Sequence, residues 1–366
     1  MSSSLARPPL AAAATAAGNP VDAEGLRERV DLALADFLDR QAAVLGSVSA
    51  ELLPLVDIVR GFVLDGGKRF RAAFLYWGWR AAGGAPYDAG AVRAAAALEL
   101  LQAAALVHDD LMDRSDTRRG RASIHRQFQS RHRAEGRGGD PASQGAASAV
   151  LAGDLLLTWS DSLFSSCGLP TADARPVFDL LRTEVMAGQY LDMLPPAPGA
   201  DLAARARTVV RYKSAKYTVE RPLQLGALLA GGSPQLVAAL GEFGLPLGEA
   251  FQLRDDLLGV FGDPARTGKP SGDDLREGKR TLLVAEALAH ATPADARLID
   301  DLLGSPEPEA VDLLRDALSR SGAPARVRAR IADLRDGSLA ALDAAPVTEP
   351  ARVVLHRLAH AALGDA

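Results

Sequence analysis

Apolar residues recur at three- and four-residue spacing from Leu26 almost to the end of the chain, and no stretch alternates strictly between apolar and polar. That period predicts helices and no sheet. Ala91 to His108 and Ala149 to Ser165 show it most plainly. Breaks fall at Gly83-Gly84-Ala85-Pro86, Gly168-Leu169-Pro170, Pro195 to Gly199, Gly231 to Pro234 and Gly304 to Pro308, leaving helices of about 15 to 30 residues between turn signals. The Gly-, Ala- and Ser-rich stretch Arg133 to Ser148 reads as a mobile loop between two helices. Residues 1–25 are rich in Ser, Pro and Ala but lack the leucine core and basic start of a secretory signal, so they read as a disordered leader. No solenoid-period repeat is present. The fold class expected is all-α, with residues 26–366 forming one large bundle of long helices.

Composition narrows the function. The 366 residues carry 41 basic and 46 acidic side chains, a net charge of −5, which argues against non-specific nucleic-acid binding. The longest uncharged run, Pro222 to Gly241, is broken by Gly231 to Pro234 and carries two glutamines, so no integral membrane span is expected. A single cysteine, Cys167, excludes a disulfide framework and fits a cytoplasmic setting. Only five cations are lysine: Lys68, Lys213, Lys216, Lys269 and Lys279. In a chain that writes nearly every cation as arginine, a retained lysine points to a compact, strongly hydrated charge.

Those lysines accompany two acidic clusters. His108-Asp109-Asp110-Leu111-Met112-Asp113 closes an apolar helix, and helical spacing puts Asp109 and Asp113 on one face. The basic run Arg114 to Arg121 follows. A second cluster, Gln252 with Asp255 and Asp256, lies on another apolar helix and precedes Lys269 and Lys279. Carboxylates beside arginines are ordinarily a salt-bridged surface. Two such clusters at the ends of buried helices fit a different chemistry: hard oxygen ligands for Mg²⁺, with lysine and arginine on the outer oxygens of a diphosphate. No Walker-type cradle is present. Gly66-Gly67-Lys68-Arg69-Phe70-Arg71 alternates cations at a glycine-rich helix start, and Arg211 to Tyr217 adds two lysines and a hydroxyl.

In this order, from about Leu53 to Ala289, these segments resemble the trans-isoprenyl diphosphate synthases, also called polyprenyl synthetases, and most resemble a geranylgeranyl diphosphate synthase. The motifs are Gly67 to Arg71, Asp109 to Asp113 with Arg118-Arg119-Gly120, Gly188 to Asp192, Lys213-Ser214-Ala215, and the second Asp-rich helix with Lys269 and Lys279. The resemblance implies an all-α homodimer, with both Asp-rich motifs facing each other across a central cavity that holds three Mg²⁺. By position, Asp109 and Asp113 would ligate two of these ions and Asp255 the third, with Asp110 and Asp256 in support. Arg118, Gln189, Lys213, Ser214, Gln252, Lys269 and Lys279 would serve the allylic diphosphate or its ligands. Lys68, Arg71, Gln102 and Arg119 would hold isopentenyl diphosphate. Three departures stand out: Gln102 replaces a frequent His, Ser214 replaces Thr, and Gly259 takes the third Asp position of the second motif, with Asp263 nearby. Whether Lys213 or Lys216 meets the diphosphate stays open.

The helix entering the first Asp motif forms a wall of the elongation tunnel in that family. Ala105 and Ala104 precede Asp109 by four and five residues, and Leu101 lies about 5.4 Å further along the axis. Small side chains there leave room beyond fifteen carbons, so geranylgeranyl diphosphate is the expected product, with farnesyl or longer products as alternatives. A class I terpene cyclase would need an Asn/Asp, Ser, Glu motif that is missing; the sole asparagine is Asn19. An HD-type phosphohydrolase would need histidines beyond His108. An inactive regulatory subunit would have lost motif aspartates, and both clusters are intact.

Overall fold

The computed structural model describes residues 19–262 and 272–364. It is almost wholly helical: α1 (Leu26–Val48), α2 (Leu53–Leu64), α3 (Phe70–Ala81), α4 (Ala89–Met112), a two-residue hairpin β1 (Thr117–Arg118) and β2 (Arg121–Ala122), α5 (Ile124–Ala134), α6 (Pro141–Ser165), α7 (Arg175–Met193), α8 (Leu202–Val209), a π-helical segment (Val210–Glu220), α9 (Arg221–Leu229), α10 (Pro234–Phe261), α11 (Asp273–Arg276), α12 (Leu282–His290), α13 (Pro293–Leu302), α14 (Pro308–Arg320), α15 (Ala323–Ala344) and α16 (Glu349–Leu363). The expected all-α class holds.

Local chemistry sets the helix starts. Side chains of Asp88, Asp140, Asp201 and Ser233 accept hydrogen bonds from the first free amides of α4, α6, α8 and α10, and prolines occupy the first helical turn of α6 and α10. The Asp140-Pro141 start corrects one expectation. The stretch read as a loop over Arg133 to Ser148 is mostly helix, its last eight residues belonging to α6. Small residues there signalled close packing: a Cβ at Gly145 would lie 2.5 Å from the His125 carbonyl oxygen on α5. The last residues read as leader are described and folded. Pro20–Gly25 forms a 3-10 turn that buries Val21 and Ala23. Its Glu24 accepts a 2.5 Å hydrogen bond from the Tyr76 hydroxyl and pairs with Arg80 at 3.2 Å, partners too distant in sequence for local pattern to reveal.

The alanine-rich α4 runs through the interior. Ala94 to Ala97 and Leu100 have no exposed surface. Among the described residues, α4 is the one helix long and apolar enough to cross a membrane, yet 78% of its most apolar window is buried inside the fold; it is a core helix of the bundle. Around it α6 packs alongside, α3 crosses α9, and α10 lies between the π-helical segment and α15.

Glycines permit the tightest crossing. A Cβ at Gly78 on α3 would lie 2.2 Å from the Leu223 carbonyl oxygen, and one at Gly226 on α9 1.9 Å from that of Leu75. The two backbones touch through reciprocal notches, so neither side chain can be enlarged without parting the helices. Gly226→Ala is expected to lower stability by about 1–3 kcal/mol through overpacking. Thermal unfolding checks this, and an unchanged midpoint would show that the crossing has slack.

Candidate active site

The first acidic cluster sits where α4 ends. Asp110 is 1% exposed, and such a carboxylate needs a cation. The β1–β2 hairpin supplies it. Arg119 and Gly120 at its turn both have positive φ, 55° and 74°, the pattern of a two-residue turn that folds a strand sharply back. The reversal lays Arg118 over the helix end, where it donates to Asp110 at 2.7 Å and to Asp109 at 3.4 Å. Burial alone would lower the Arg118 pKa, but Asp110 and Asp109 outweigh it and hold the guanidinium charged.

Asp109 is the hub. Gln189 on α7 donates to its Oδ1 at 3.0 Å, and Lys213 Nζ lies 3.5 Å from the same oxygen and 2.6 Å from Asp192. Burial pushes the Asp109 carboxyl up, yet Lys213, Lys279 and Arg118 together bring it below the ordinary aspartate value. In turn Asp109 and Asp192 overcome burial and keep Lys213 protonated. Lys213 faces the carboxylates, whereas Lys216 pairs with Glu184 at 3.6 Å and Glu220 at 3.2 Å, away from them.

The chain that follows the second cluster is joined to the first. Lys279 Nζ lies 2.9 Å from Asp113, 2.5 Å from Glu277 and 3.8 Å from Asp274. Its own burial is outweighed by those acids, which raise its pKa. On α10, Gln252 donates to Asp256 at 2.7 Å. Asp256 is 6% exposed, while Asp255 beside it is exposed. Burial, then repulsion from Asp274, pushes Asp256 up to about 8; the Gln252 hydrogen bond opposes this, and Asp255 and Asp192 add to the rise. The two acidic helix ends therefore share one electrostatic field. A Cβ at Gly259, the position of the missing third aspartate, would lie 2.4 Å from Asp274 Oδ2. Lys269 and Asp263 lie outside the described residues.

A third group lies at the start of α3. Gly66, Gly67 and Arg69 have φ of 87°, 106° and 52°, left-handed values that suit glycine and strain arginine. Arg69 is held there, 5% exposed, by Glu99 at 3.0 Å, Asp31 at 2.7 Å and the Val63 carbonyl at 2.8 Å. Fixing Arg69 inward leaves Lys68 exposed. Arg71 donates to Thr218 at 2.7 Å and stacks 4.3 Å from the centroid of Tyr217, whose hydroxyl donates to Gln102 at 2.8 Å. Arg119 borders the same loop, since a Cβ at Gly67 would lie 3.2 Å from its guanidinium. Ser214 is half-buried on the π-helical segment.

The structure thus gathers Asp109, Asp110, Asp113, Arg118, Gln189, Lys213 and Lys279 into one ion-paired network, and links Arg71 to Gln102. Sequence reading gave no role of their own to Asp192, Asp274, Glu277, Tyr217 or Thr218, although Asp192 closes the Gly188 to Asp192 motif. Asp192 could have been found, because it lies three residues beyond Gln189 on the same helical face. The elongation residues separate. On α4, Ala105 is half-buried in line with Gln102 and Asp109, while Ala104 and Leu101 are 0% and 1% exposed.

Residues 54–320 match the family model described as Polyprenyl synthetase. The chain is 30% identical over 335 residues to an octaprenyl diphosphate synthase of Escherichia coli (strain K12), covering 91% of this chain and 97% of that protein. It is 33% identical to a short chain isoprenyl diphosphate synthase of Methanothermobacter thermautotrophicus over 71% of this chain and 75% of that one. Among solved structures, geranylgeranyl pyrophosphate synthase from Corynebacterium glutamicum, complexed with isoprenyl diphosphate and magnesium, superposes with a TM-score of 0.88 at 42% identity, covering 92% of this chain and 98% of that one. With a family match over most of its length and an acidic helix end ringed by Arg118, Lys213 and Lys279, the chain belongs to the polyprenyl synthetase family of prenyltransferases.

Proposed function

We propose that the enzyme condenses isopentenyl diphosphate head-to-tail with an allylic diphosphate, and that geranylgeranyl diphosphate is its main product. The observation that supports this is the set of cations gathered on the first acidic cluster, Lys213 at Asp109 and Lys279 at Asp113, with Asp274 beside Lys279 lying close enough to Asp256 of the second cluster to repel it. The donor set is entirely hard oxygen, which fits Mg²⁺ held by a few carboxylates plus substrate phosphates. Asp109, Asp113 and Asp255 would hold three Mg²⁺, with Asp110 and Asp256 in support. Bound there, the metal would neutralise charge on the allylic diphosphate.

The chain's own groups account for the rest. Arg118, Lys213, Lys279 and Lys269 offer fixed positive charge to the diphosphate as its bond to the allylic carbon breaks. Gln189 and Gln252 orient the carboxylates by hydrogen bonds. Ser214 offers a hydroxyl on the same segment as Lys213. Lys68, Arg71 and Arg119 hold isopentenyl diphosphate, its double bond facing the allylic cation, with Gln102 close by. The resulting tertiary cation then loses a proton, and the departed diphosphate is the nearest base. The apolar wall of α4 keeps water from the cation.

Residues 26–366 act as one domain, preceded by a leader. Val150 and Leu151 on α6 and Leu180, Met186, Tyr190 and Met193 on α7 are exposed apolar side chains, the kind of surface that a second copy covers in a homodimer. A cytoplasmic location and the absence of nucleic-acid partners follow from the reading as a small-molecule enzyme.

Two outcomes are expected. With isopentenyl diphosphate and C5, C10 or C15 primers, turnover requires Mg²⁺ and stops with EDTA; activity that survives the chelator refutes the mechanism. Ala105→Phe, on the face of Asp109, shortens the main product more than Ala104→Phe, whose buried position makes overpacking of about 1–3 kcal/mol its chief effect. Product chromatography showing no shortening with either variant would move the length determinant off α4.

A further inference from the structure

The segment that carries Lys213 is wound as a π-helix for eleven residues, Val210–Glu220. Such winding is rare, usually occupies a single turn, and often marks functional sites. It also explains why Lys213 and Lys216 part company. Three residues apart on an α-helix, they would lie about 60° from each other on one face. The wider i→i+5 winding turns roughly 80° per residue and opens that angle to roughly 120°. One lysine meets Asp109 and Asp192; the other enters the pairs with Glu184 and Glu220.

A conformation this unusual persists only where its surroundings hold it. Two helices do so with bare backbone. On α7, a Cβ at Gly188 would lie 2.4 Å from the Lys213 amide nitrogen and 2.7 Å from its Cα. On α10, a Cβ at Gly248 would lie 2.6 Å from both the Cα and the carbonyl oxygen of Ala215. One turn earlier on α10, a Cβ at Gly244 would lie 3.0 Å from the Glu220 Cα. The atoms met at Gly188 and Gly248 are backbone, which cannot swing aside as a side chain can. α7 and α10 therefore grip the segment from two directions, and the grip on α7 is at Lys213 itself. Both helices also carry partners of the site: Gln189 follows Gly188 directly, Asp192 lies one turn beyond it, and Gln252 lies one turn beyond Gly248.

We propose that Gly188 and Gly248 are positioning residues for Lys213: their missing side chains admit the wide π-helical backbone and so aim its ammonium between Asp109 and Asp192. The inference rests on the reading above, in which Lys213 meets the allylic diphosphate. A methyl at either position displaces that backbone, and with it the lysine, by the order of an ångström. Misplacement of that size costs roughly 100-fold in rate.

The test is a double-mutant cycle in the full-length enzyme with Mg²⁺. Gly188→Ala and Gly248→Ala are each made in the natural background and in Lys213→Ala, and kcat and KM for the allylic diphosphate are measured beside thermal unfolding. Each glycine variant is expected to lose roughly 100-fold in kcat/KM in the natural background and less than about twofold once Lys213 is gone, because residues acting through one group are not additive. An equal loss in both backgrounds, or no loss in the natural one, overturns the inference while Lys213 keeps its assignment. Unimpaired turnover by Lys213→Ala overturns the assignment of Lys213 and the inference with it. If neither glycine variant yields folded protein, the glycines are scaffold alone and the inference fails.

Discussion

The arrangement depends on mutual neutralisation between buried acids and a small set of cations that reach them from separate parts of the chain. Asp109, Asp110 and Asp113 lie within five residues at the end of a long core helix. Left alone they would repel each other and pay heavily for lost hydration. Arg118 arrives from the hairpin that follows, Lys213 from the π-helical segment and Lys279 from the turn after α11. None of these elements could move without leaving a carboxylate short of its countercharge. The tertiary fold and the site are in this sense one construction, with ion pairs fixing how the helix ends meet.

Much of this was legible in the sequence, for identifiable reasons. Helix content followed from the apolar period, and the buried state of α4 from alanine and leucine on most of its sides. The acidic clusters stood out because carboxylates are costly at the end of an apolar helix. Lysine was informative through its scarcity: of the four lysines in the described residues, Lys213 and Lys279 pair with the first acidic cluster, Lys216 pairs with Glu184 and Glu220, and Lys68 lies exposed on the strained loop. Residue type against a biased background thus carried positional information that spacing alone did not.

What the sequence hid was chiefly winding and long-range partnership. Lys213 and Lys216 could not be told apart because an α-helical wheel puts them on one face, and only the π-helical turn separates them. Glu24 was assigned to a leader because nothing near it in sequence explains a buried carboxylate; its partners Tyr76 and Arg80 come from α3. Arg133 to Ser148 read as a loop because Gly, Ala and Ser are poor in apolar surface. In the fold Gly145 is small because α6 packs closely on α5 there, a distinction that composition cannot make. Ala104 and Ala105 differ for a related reason: adjacent residues on a helix point about 100° apart, so only one of them shares the face of Asp109.

Gly259 shows how a departure from a motif can be read once neighbours are known. In sequence it looks like a lost ligand, an aspartate position of the second cluster left empty. In the fold the space beside it is taken: a side chain at 259 would start 2.4 Å from Asp274 Oδ2, while the Gly259 carbonyl accepts a 2.7 Å hydrogen bond from the Gly272 amide. The carboxylate therefore reaches this region from α11 rather than from α10, and it arrives on the same short stretch of chain as Lys279. A third aspartate on α10 would add charge next to Asp256, whose pKa already stands far above the ordinary aspartate value through burial and the nearness of Asp274. Glycine at 259 relieves that repulsion and leaves room for the incoming carboxylate, so the departure and the approach of α11 are two sides of one packing solution.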